Sequence, residues 1–409
     1  MKKSVQVAIV MLASAVAGSA WAQTLHTDVG SGNIDSRIYK DGDKWVEEMT
    51  GSLPGARNLK VVTDMGSVTV VGANQPNVTF VIRKRTHKGG EQTARKLFQA
   101  FAINVVRKAD TVYVEGEWQG PQKMRSVSTD FTLTVPRELT IGKVETSGGS
   151  VDMRNLAGQA FAATAGGSIT LDQIGGAVRA ETSGGSIDVG AVGGDAGLST
   201  SGGSIAARDI KGRLLAETAG GSIEVGTVGN GAVLNTAGGS IQVSRCDKDL
   251  HAETAGGSIQ VGKVNGGVVL VTAGGGIHLE SATGPVRAET AGGGLKLLNL
   301  TQGVRAETAG GPIFAEFLGR GKFTDSHLET QAGDIIVYLA PAMGVTVRGV
   351  VDLGDGHWVK SDFSELRVTT EGGNWGPKQI FVEGSINGGG PVLKLHTTNG
   401  NIEIRRGKK

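Results

Sequence analysis

The chain has 409 residues, with 41 Lys plus Arg against 39 Asp plus Glu, one Cys and 67 Gly. So even a charge balance lacks the concentrated basic surface from which sequence-independent nucleic-acid binding draws its affinity. A lone thiol rules out an internal disulfide and a Cys-rich metal site. Stability has to come from burial and hydrogen bonding.

Lys2 and Lys3, the apolar stretch Val5 to Ala17 and the small residues of Ala20-Trp21-Ala22 have the order of an export signal. Residues 1–22 are therefore expected to be removed, leaving no integral membrane span. The mature chain would begin at Gln23 and be exported: periplasmic, outer-surface or secreted. An uncleaved anchor is disfavoured because the apolar stretch is short for a span of ~20 residues. Without Lys2 and Lys3 the basic count falls to 41 − 2 = 39, equal to the acidic count.

Residues 23–140 read as a β-rich cap. LKVVTDMGSVTVVG (Leu59 to Gly72), VTFVIRKR (Val78 to Arg85), TVYVEGEW (Thr111 to Trp118) and DFTLTVP (Asp130 to Pro136) have strand patterning. Between them Ala94, Leu97, Phe98 and Phe101 fall at helical spacing, which predicts a short amphipathic helix near 91–105. The run Arg83, Lys84, Arg85, His87, Lys88 is the best basic candidate for a nucleic-acid contact, and it reads instead as a solvated strand end or loop.

From residue 141 to 329 one unit repeats. Thr followed by Ala/Ser-Gly-Gly recurs at Thr146, Thr164, Thr182, Thr200, Thr218, Thr236, Thr254, Thr272, Thr290 and Thr308, always 18 residues apart. Copies that admit no insertion are copies that must stay in register, which predicts stacked coils. Counted from its Thr, each copy has branched aliphatics at the sixth position (Ile187, Ile205, Ile223) and apolar residues at the eighth (Val189, Ala207, Val225), with polar residues between. That period of two gives a strand with one buried face. The eleventh position is another apolar column, in which Cys246 stands among valines and reads as a small core hydrophobe.

Each coil needs corners. Pairs such as Gly238-Gly239 fit a place that requires unusual φ/ψ or close backbone approach, and the thirteenth position, usually Gly, marks a second corner. Asn230 fills it once, as a residue that tolerates positive φ. No Gly-Lys-Ser/Thr closes any of these turns as a phosphate-binding loop would require. At the fifteenth and seventeenth positions Ala196/Leu198, Leu214/Ala216 and Ala232/Leu234 alternate small and large, as layers that interdigitate would. Glu145, Glu181, Glu217, Glu253 and Glu289 occupy every second copy, so stacking at ~4.8 Å would hold them roughly 10 Å apart. That spacing argues against a calcium site and for solvation.

After Leu318 the phase slips, and the next Thr-x-x-Gly begins at Thr330. Residues 330–404 read as looser coils and a cap, closing with PVLKLHTTNGNIEI, and residues 405–409 as a polar tail. Asp355, His357, Trp358, Asp362 and Trp375 concentrate around a segment spanning 354–374 that is a candidate binding loop.

The expected fold class is thus all-β: a single-stranded β-solenoid (β-helix) with 18-residue coils, right-handed, flanked by β-rich caps and one short helix. The recurring TxxGxIxV unit, the FTLTVP segment at Phe131 to Pro136 and the closing GGGPVLKLHTTNGNIEI together resemble the bacterial "putative adhesin" family of unknown function, with its Gly-rich β-strand repeats, over Leu59 to Ile404. The resemblance implies an exported or envelope-associated solenoid. It carries no catalytic residue over to this chain.

The function expected is that of a non-enzymatic envelope or cell-surface protein, structural or adhesin-like, presenting a repetitive sheet to an envelope protein or a glycan, with no nucleic-acid partner. No catalytic, cofactor-binding or metal residue is assigned, and no cofactor is expected. One alternative is a polysaccharide-active β-helix enzyme, which needs paired carboxylates or an acid–base pair in a cleft, whereas His251 and His278 are isolated at different phases. Another is an assembly or signalling partner bound at a cap through Trp45, Trp358 or Trp375. Outward Val233, Val269 and Val271 could add a contact strip.

Overall fold

The computed structural model describes residues 34–121, 126–319, 321–373 and 377–407. The export signal and Trp375 lie outside the described residues. Two long sheets face each other, and every 18-residue copy supplies one strand to each. In the copy from Thr218, Ile223–Val228 enters the first sheet and Ala232–Thr236 the second. We call these the Ile sheet and the Thr sheet, after the column each carries. Throughout the array neighbouring strands are parallel and in step, so that Ile187 pairs with Ile205, Ile205 with Ile223 and Ile223 with Ile241.

The period of two puts the sixth and eighth residues inward from the Ile sheet, and the fifteenth, seventeenth and the Thr inward from the Thr sheet; the eleventh, out of that phase, also turns inward, and in three copies the residue before it (Asn155, Gln173, Asn299) has positive φ. All are buried, in one continuous core. Small meets large at the latter positions, Ala196 lying beside Leu214 and Leu198 beside Ala216, as the alternation predicts. Cys246 is fully buried in its column, and burial pushes its thiol pKa up, as for an inert core residue.

Glycine works here through proximity. A Cβ on Gly239 would sit 2.1 Å from the carbonyl oxygen of Gly221 in the coil before it. Neither Gly238 nor Gly239 has positive φ. At the second corner the left-handed residue is Gly231 (φ +86°) rather than Asn230, so that expectation is corrected by one position: the residue without a Cβ takes the strained conformation.

The repeated threonine is buried and hydrogen-bonded. Twelve threonine hydroxyls, from Thr146 to Thr397, each donate to the glycine carbonyl of the preceding coil at 2.7 to 2.9 Å. Within its own coil the same oxygen accepts from the second glycine, as in Gly239 N–H to Thr236 Oγ1 at 3.3 Å. The Thr236→Val variant, isosteric but without these bonds, should lose about 1–2 kcal/mol by denaturant titration while keeping the native spectrum. An unchanged midpoint would contradict this role for the ladder.

The ends differ from a simple continuation. Asn58–Thr63 and Ser67–Ala73 form a coil in register with the array, Thr63 pairing with Thr146 and Val68 with Val151. The chain then leaves, forms Thr111–Trp118 and Ser128–Pro136 on the far side of this coil, and returns to start the array. The other end mirrors this: the last coil in sequence, Val392–Asn399 with Ile402–Arg406, lies between Ser326–Leu339 and the strands Val345–Val351 and Val359–Ser361. At both ends stacking order departs from chain order. The 22-residue step from Thr308 to Thr330 is absorbed outside the sheets, because Thr308 still pairs with Thr330.

The predicted helix is shorter than 91–105. It spans Glu91–Gln99, and Phe101–Lys108 is a strand antiparallel to Thr111–Trp118. Ile103, Val105 and Val106 are β-branched and favour the strand. Ala94, Leu97 and Phe98 are buried, closing the end of the core, and Phe101 meets Phe131 edge-on at 6.4 Å.

The basic run is bound into this cap. Arg83 pairs with Glu48 at 2.7 Å, Arg85 pairs with Asp130, and His87 meets Asp43 at 3.0 Å. Lys84 is buried, not solvated as expected. Its Nζ lies 2.9 Å from Glu47 Oε2 and donates to the Phe98 carbonyl at 2.9 Å, since only a long cationic side chain reaches the helix's open C-terminal carbonyls from that strand.

Candidate functional site

Within the array the outward residues form columns. On the Thr sheet, the sixteenth position runs Leu215, Val233, His251, Val269, Arg287, Arg305, His327, Lys394, Arg348. Two positions later the column reads Glu217, Asn235, Glu253, Val271, Glu289, Glu307, Glu329, His396, Val350. The alternation of acid with neutral predicted from sequence holds as far as Glu289 and then stops. Glu289, Glu307 and Glu329 are adjacent on neighbouring strands. Like charges directly opposite one another are unfavourable. Here each acid has a basic or imidazole partner two residues earlier: Arg287 to Glu289 at 2.5 Å, Arg305 to Glu307 at 2.6 Å and His327 to Glu329 at 2.9 Å.

At this end a row of imidazoles and carboxylates forms. His327 Nε2 donates to Glu329 Oε2 at 2.9 Å. His396 comes from the last coil, placing Nδ1 3.4 Å from Glu329 Oε1 and Nε2 2.8 Å from Asp352 Oδ2. Gln379 donates to the other Asp352 oxygen at 3.2 Å. The side chains of His327, Glu329, His396 and Asp352 are 32 to 40% exposed, so the row is open to solvent yet partly desolvated. The hydrogen bond from His327 holds the Glu329 carboxyl below its ordinary pKa; desolvation opposes this, and the charge of His396 adds to the lowering. A depressed carboxyl contributes stability that is present above its unfolded pKa of ~4.5 and is lost as pH falls through the folded value.

Single ligand atoms of Glu307, His327 and Glu329 all lie within 4.8 Å of one another. Two grooves meet here, of about 530 and 550 Å³, sharing His327 and Lys394. One runs along Arg305, Asp325 and Val392; the other is walled by Arg348, Phe381 and Glu383. Sequence reasoning missed this row because its members come from segments that the coil stacking, not the period, brings together. The available signal was local: SHLET at Ser326 to Thr330 has the pattern of VRAET with His in place of Arg, and LKLHT at Leu393 to Thr397 puts His in the glutamate column.

The other residues singled out from sequence are elsewhere. His251 and His278 face outward from opposite sheets, and His251 Nε2 is 3.7 Å from Glu253. Val233, Val269 and Val271 are half-buried on the Thr sheet, beside the exposed Leu215. Trp45 packs against the cap core. The 354–374 segment is fastened to the last coil: His357 meets Asn399 at 2.6 Å, the Trp358 N–H donates to Asn401 at 3.0 Å, and Asp362 accepts from the Arg406 N–H at 3.0 Å. Lys360 lies over the Trp358 ring at 3.9 Å. These contacts close the edge of the Ile sheet, where Val359–Ser361 pairs with Ile402–Arg406. Among the described residues no helix is long and apolar enough to cross a membrane.

No protein-family model matches the chain, and no curated protein does. Several solved structures are similar to it at a distance. A "putative cell adhesion protein" of Clostridium sporogenes has 10% identity over 92% of this chain and 100% of its own, at a TM-score of 0.15. From Parabacteroides distasonis, a "putative adhesin" has 13% identity over 68% and 95% (TM-score 0.27), and a "putative lipid binding protein" 12% over 71% and 97% (TM-score 0.25). Likenesses of this strength carry no argument about what the chain does.

Proposed function

We propose that the chain is an exported, non-enzymatic rod of the cell envelope or surface, adhesin-like, that offers the outer faces of its sheets to a protein or glycan partner. The observation that supports this most is the uniformity of the array. Coil after coil turns within a few residues, so no loop rises to wall a cleft, and both outer faces stay open with mixed polar and apolar side chains. Such a surface recruits partners by shape and many weak contacts.

The interruption of that uniformity favours a second reading, in which the partner docks at the C-terminal end of the Thr sheet. The grooves around His327 and Lys394 are the concave features there. A glycan-cleaving reading has less support, because the carboxylates of Glu329 and Asp352 are already tied by hydrogen bonds on an open sheet face.

Envelope polysaccharides and proteins should be captured by the mature chain. Capture should be repeated with residues 201–236 deleted, two whole copies that join Thr200 to Ala237 and keep the small–large alternation. Lost capture with a retained fold assigns the contact to the coils. Unchanged capture moves attention to the flanks, among them the C-terminal grooves. Capture by neither protein contradicts the proposal.

A further inference from the structure

We propose that Glu307, His327 and Glu329 form a binding site for a borderline divalent cation of the zinc class on the outer face of the Thr sheet. The inference goes beyond the partner-binding reading, since a rod can hold a partner without metal.

The donor set is two carboxylates and one imidazole from adjacent parallel strands, with their ligand atoms mutually within 4.8 Å. Tetrahedral zinc with bonds of ~2.0–2.1 Å needs donors roughly 3.4 Å apart, a contraction that small side-chain rotations supply on a fixed backbone. The backbone is indeed fixed: the threonines beside these residues, Thr308 and Thr330, are held in the buried ladder at 2.7 and 2.9 Å. An imidazole with only two carboxylates suits zinc better than calcium, which takes six to eight oxygens, or magnesium, which keeps most of its water.

The charges point the same way. The column Glu289, Glu307, Glu329 departs from the alternation of the other copies, and a dication between Glu307 and Glu329 would add to the partners Arg305 and His327 in offsetting the like charge that departure brings together. Each carboxylate has a second oxygen to spare. Arg305 reaches Glu307 Oε1 at 2.6 Å, and His396 Nδ1 lies 3.4 Å from Glu329 Oε1, the arrangement of supporting groups that orient ligands. Three protein ligands leave a fourth position open beside the grooves, facing solvent. His327 Nε2 lies 2.9 Å from Glu329 Oε2 in the metal-free row, and a neutral imidazole binds a cation through that nitrogen in the tautomer that carries its proton on Nδ1.

His251 provides an internal control. It stands in the same relation to Glu253, at 3.7 Å, but the neighbours of Glu253 in the column are Asn235 and Val271, so the third ligand is missing.

The test is calorimetric titration of the chelator-treated full chain with ZnCl2, followed by metal analysis of the dialysed protein. We expect about one Zn2+ per chain and a rise in melting temperature. His327→Gln and Glu307→Gln should each weaken binding at least about tenfold, while His251→Gln leaves it unchanged and excess CaCl2 or MgCl2 does not compete. Far-UV spectra and melts of the metal-free variants separate loss of a ligand from loss of the fold; Glu307→Gln, which keeps the side chain's shape on the sheet surface, is the variant to rely on if His327→Gln unfolds. No heat or retained zinc at submillimolar concentration, binding that survives Glu307→Gln in a folded chain, or loss on His251→Gln would each overturn the proposal. The capture experiment is run in chelator, so its outcome and this one fail separately.

Discussion

Gly239→Ala is expected to destabilise the protein by about 3 kcal/mol and Gly239→Val to prevent folding, whereas Gly238→Ala is expected to be neutral or stabilising by up to about 1 kcal/mol. The two glycines are neighbours in sequence and identical in every copy's motif, but they do different work. A Cβ at Gly239 would lie 2.1 Å from the carbonyl oxygen of Gly221 and 2.4 Å from its carbon. Both are backbone atoms locked in the stack, so no rotamer relieves the clash. At Gly238 the nearest atom is Gly220 O at 3.4 Å, which is ordinary contact, and φ there is not positive. An added Cβ then mainly reduces the freedom of the unfolded chain. Thermal and urea melts of the single mutants decide the matter: equal losses at the two positions would mean that corner conformation, and not coil-to-coil approach, selects the glycines.

The second large effect is expected at the N-terminal cap. Phe98→Ala should cost about 3–5 kcal/mol, the usual penalty for emptying a fully buried aromatic site, and should turn the folded chain toward end-to-end association. Phe98 is 1% exposed, on the helix Glu91–Gln99 that covers the end of the core. Its carbonyl also accepts from Lys84, whose ammonium group is buried with Glu47. Losing the plug therefore exposes apolar interior at the end of the core, while the strand edges stay paired with Asn77–Thr86 and Phe101–Lys108. Light scattering and a urea titration of the purified variant check both parts. A stable, monodisperse Phe98→Ala protein would show that the helix is an accessory and not a cap.

The difference between what could and could not be read from the sequence follows from the range of the forces. The array was legible because each copy repeats the same local conflict and resolution: Ile and Val at alternate positions, a corner without Cβ, and the same length every time. The Ile187, Ile205 and Ile223 column, the small–large alternation at Ala196/Leu198 and Leu214/Ala216, and the burial of Cys246 all rest on that local pattern. The repeated threonine served as a marker of the period, although its buried hydroxyl joins each coil to the one before.

Other features depend on which segments meet. Thr63-Asp-Met-Gly-Ser-Val68 carries the same motif as the array, but it lies 83 residues before Thr146 with a helix and several strands between them, so its place as a coil is set by long-range pairing. Phe101 sits at helical spacing from Leu97 and Phe98 and still belongs to a strand, because an antiparallel partner in Thr111–Trp118 is available. The basic neighbours of Lys84 point to a solvated side chain, but it is buried because Glu47 and a helix end face it. The row of His327, Glu329, His396 and Asp352 comes from three segments joined by the same stacking exchange at the C-terminal end. Composition alone gave no sign of it.

The central claim is that each copy advances the rod by one strand spacing, and spin-label distances measure that directly. Nitroxides at the outward positions of Asp188, Glu224, Gln260 and Lys296, taken in pairs with Asp188 as the common partner, sit two, four and six register steps apart on the Ile sheet. The account predicts narrow distributions increasing linearly, by ~4.8 Å for each 18-residue copy, to roughly 29 Å between Asp188 and Lys296. Distances that fail to grow with copy number, or that spread broadly, would contradict it.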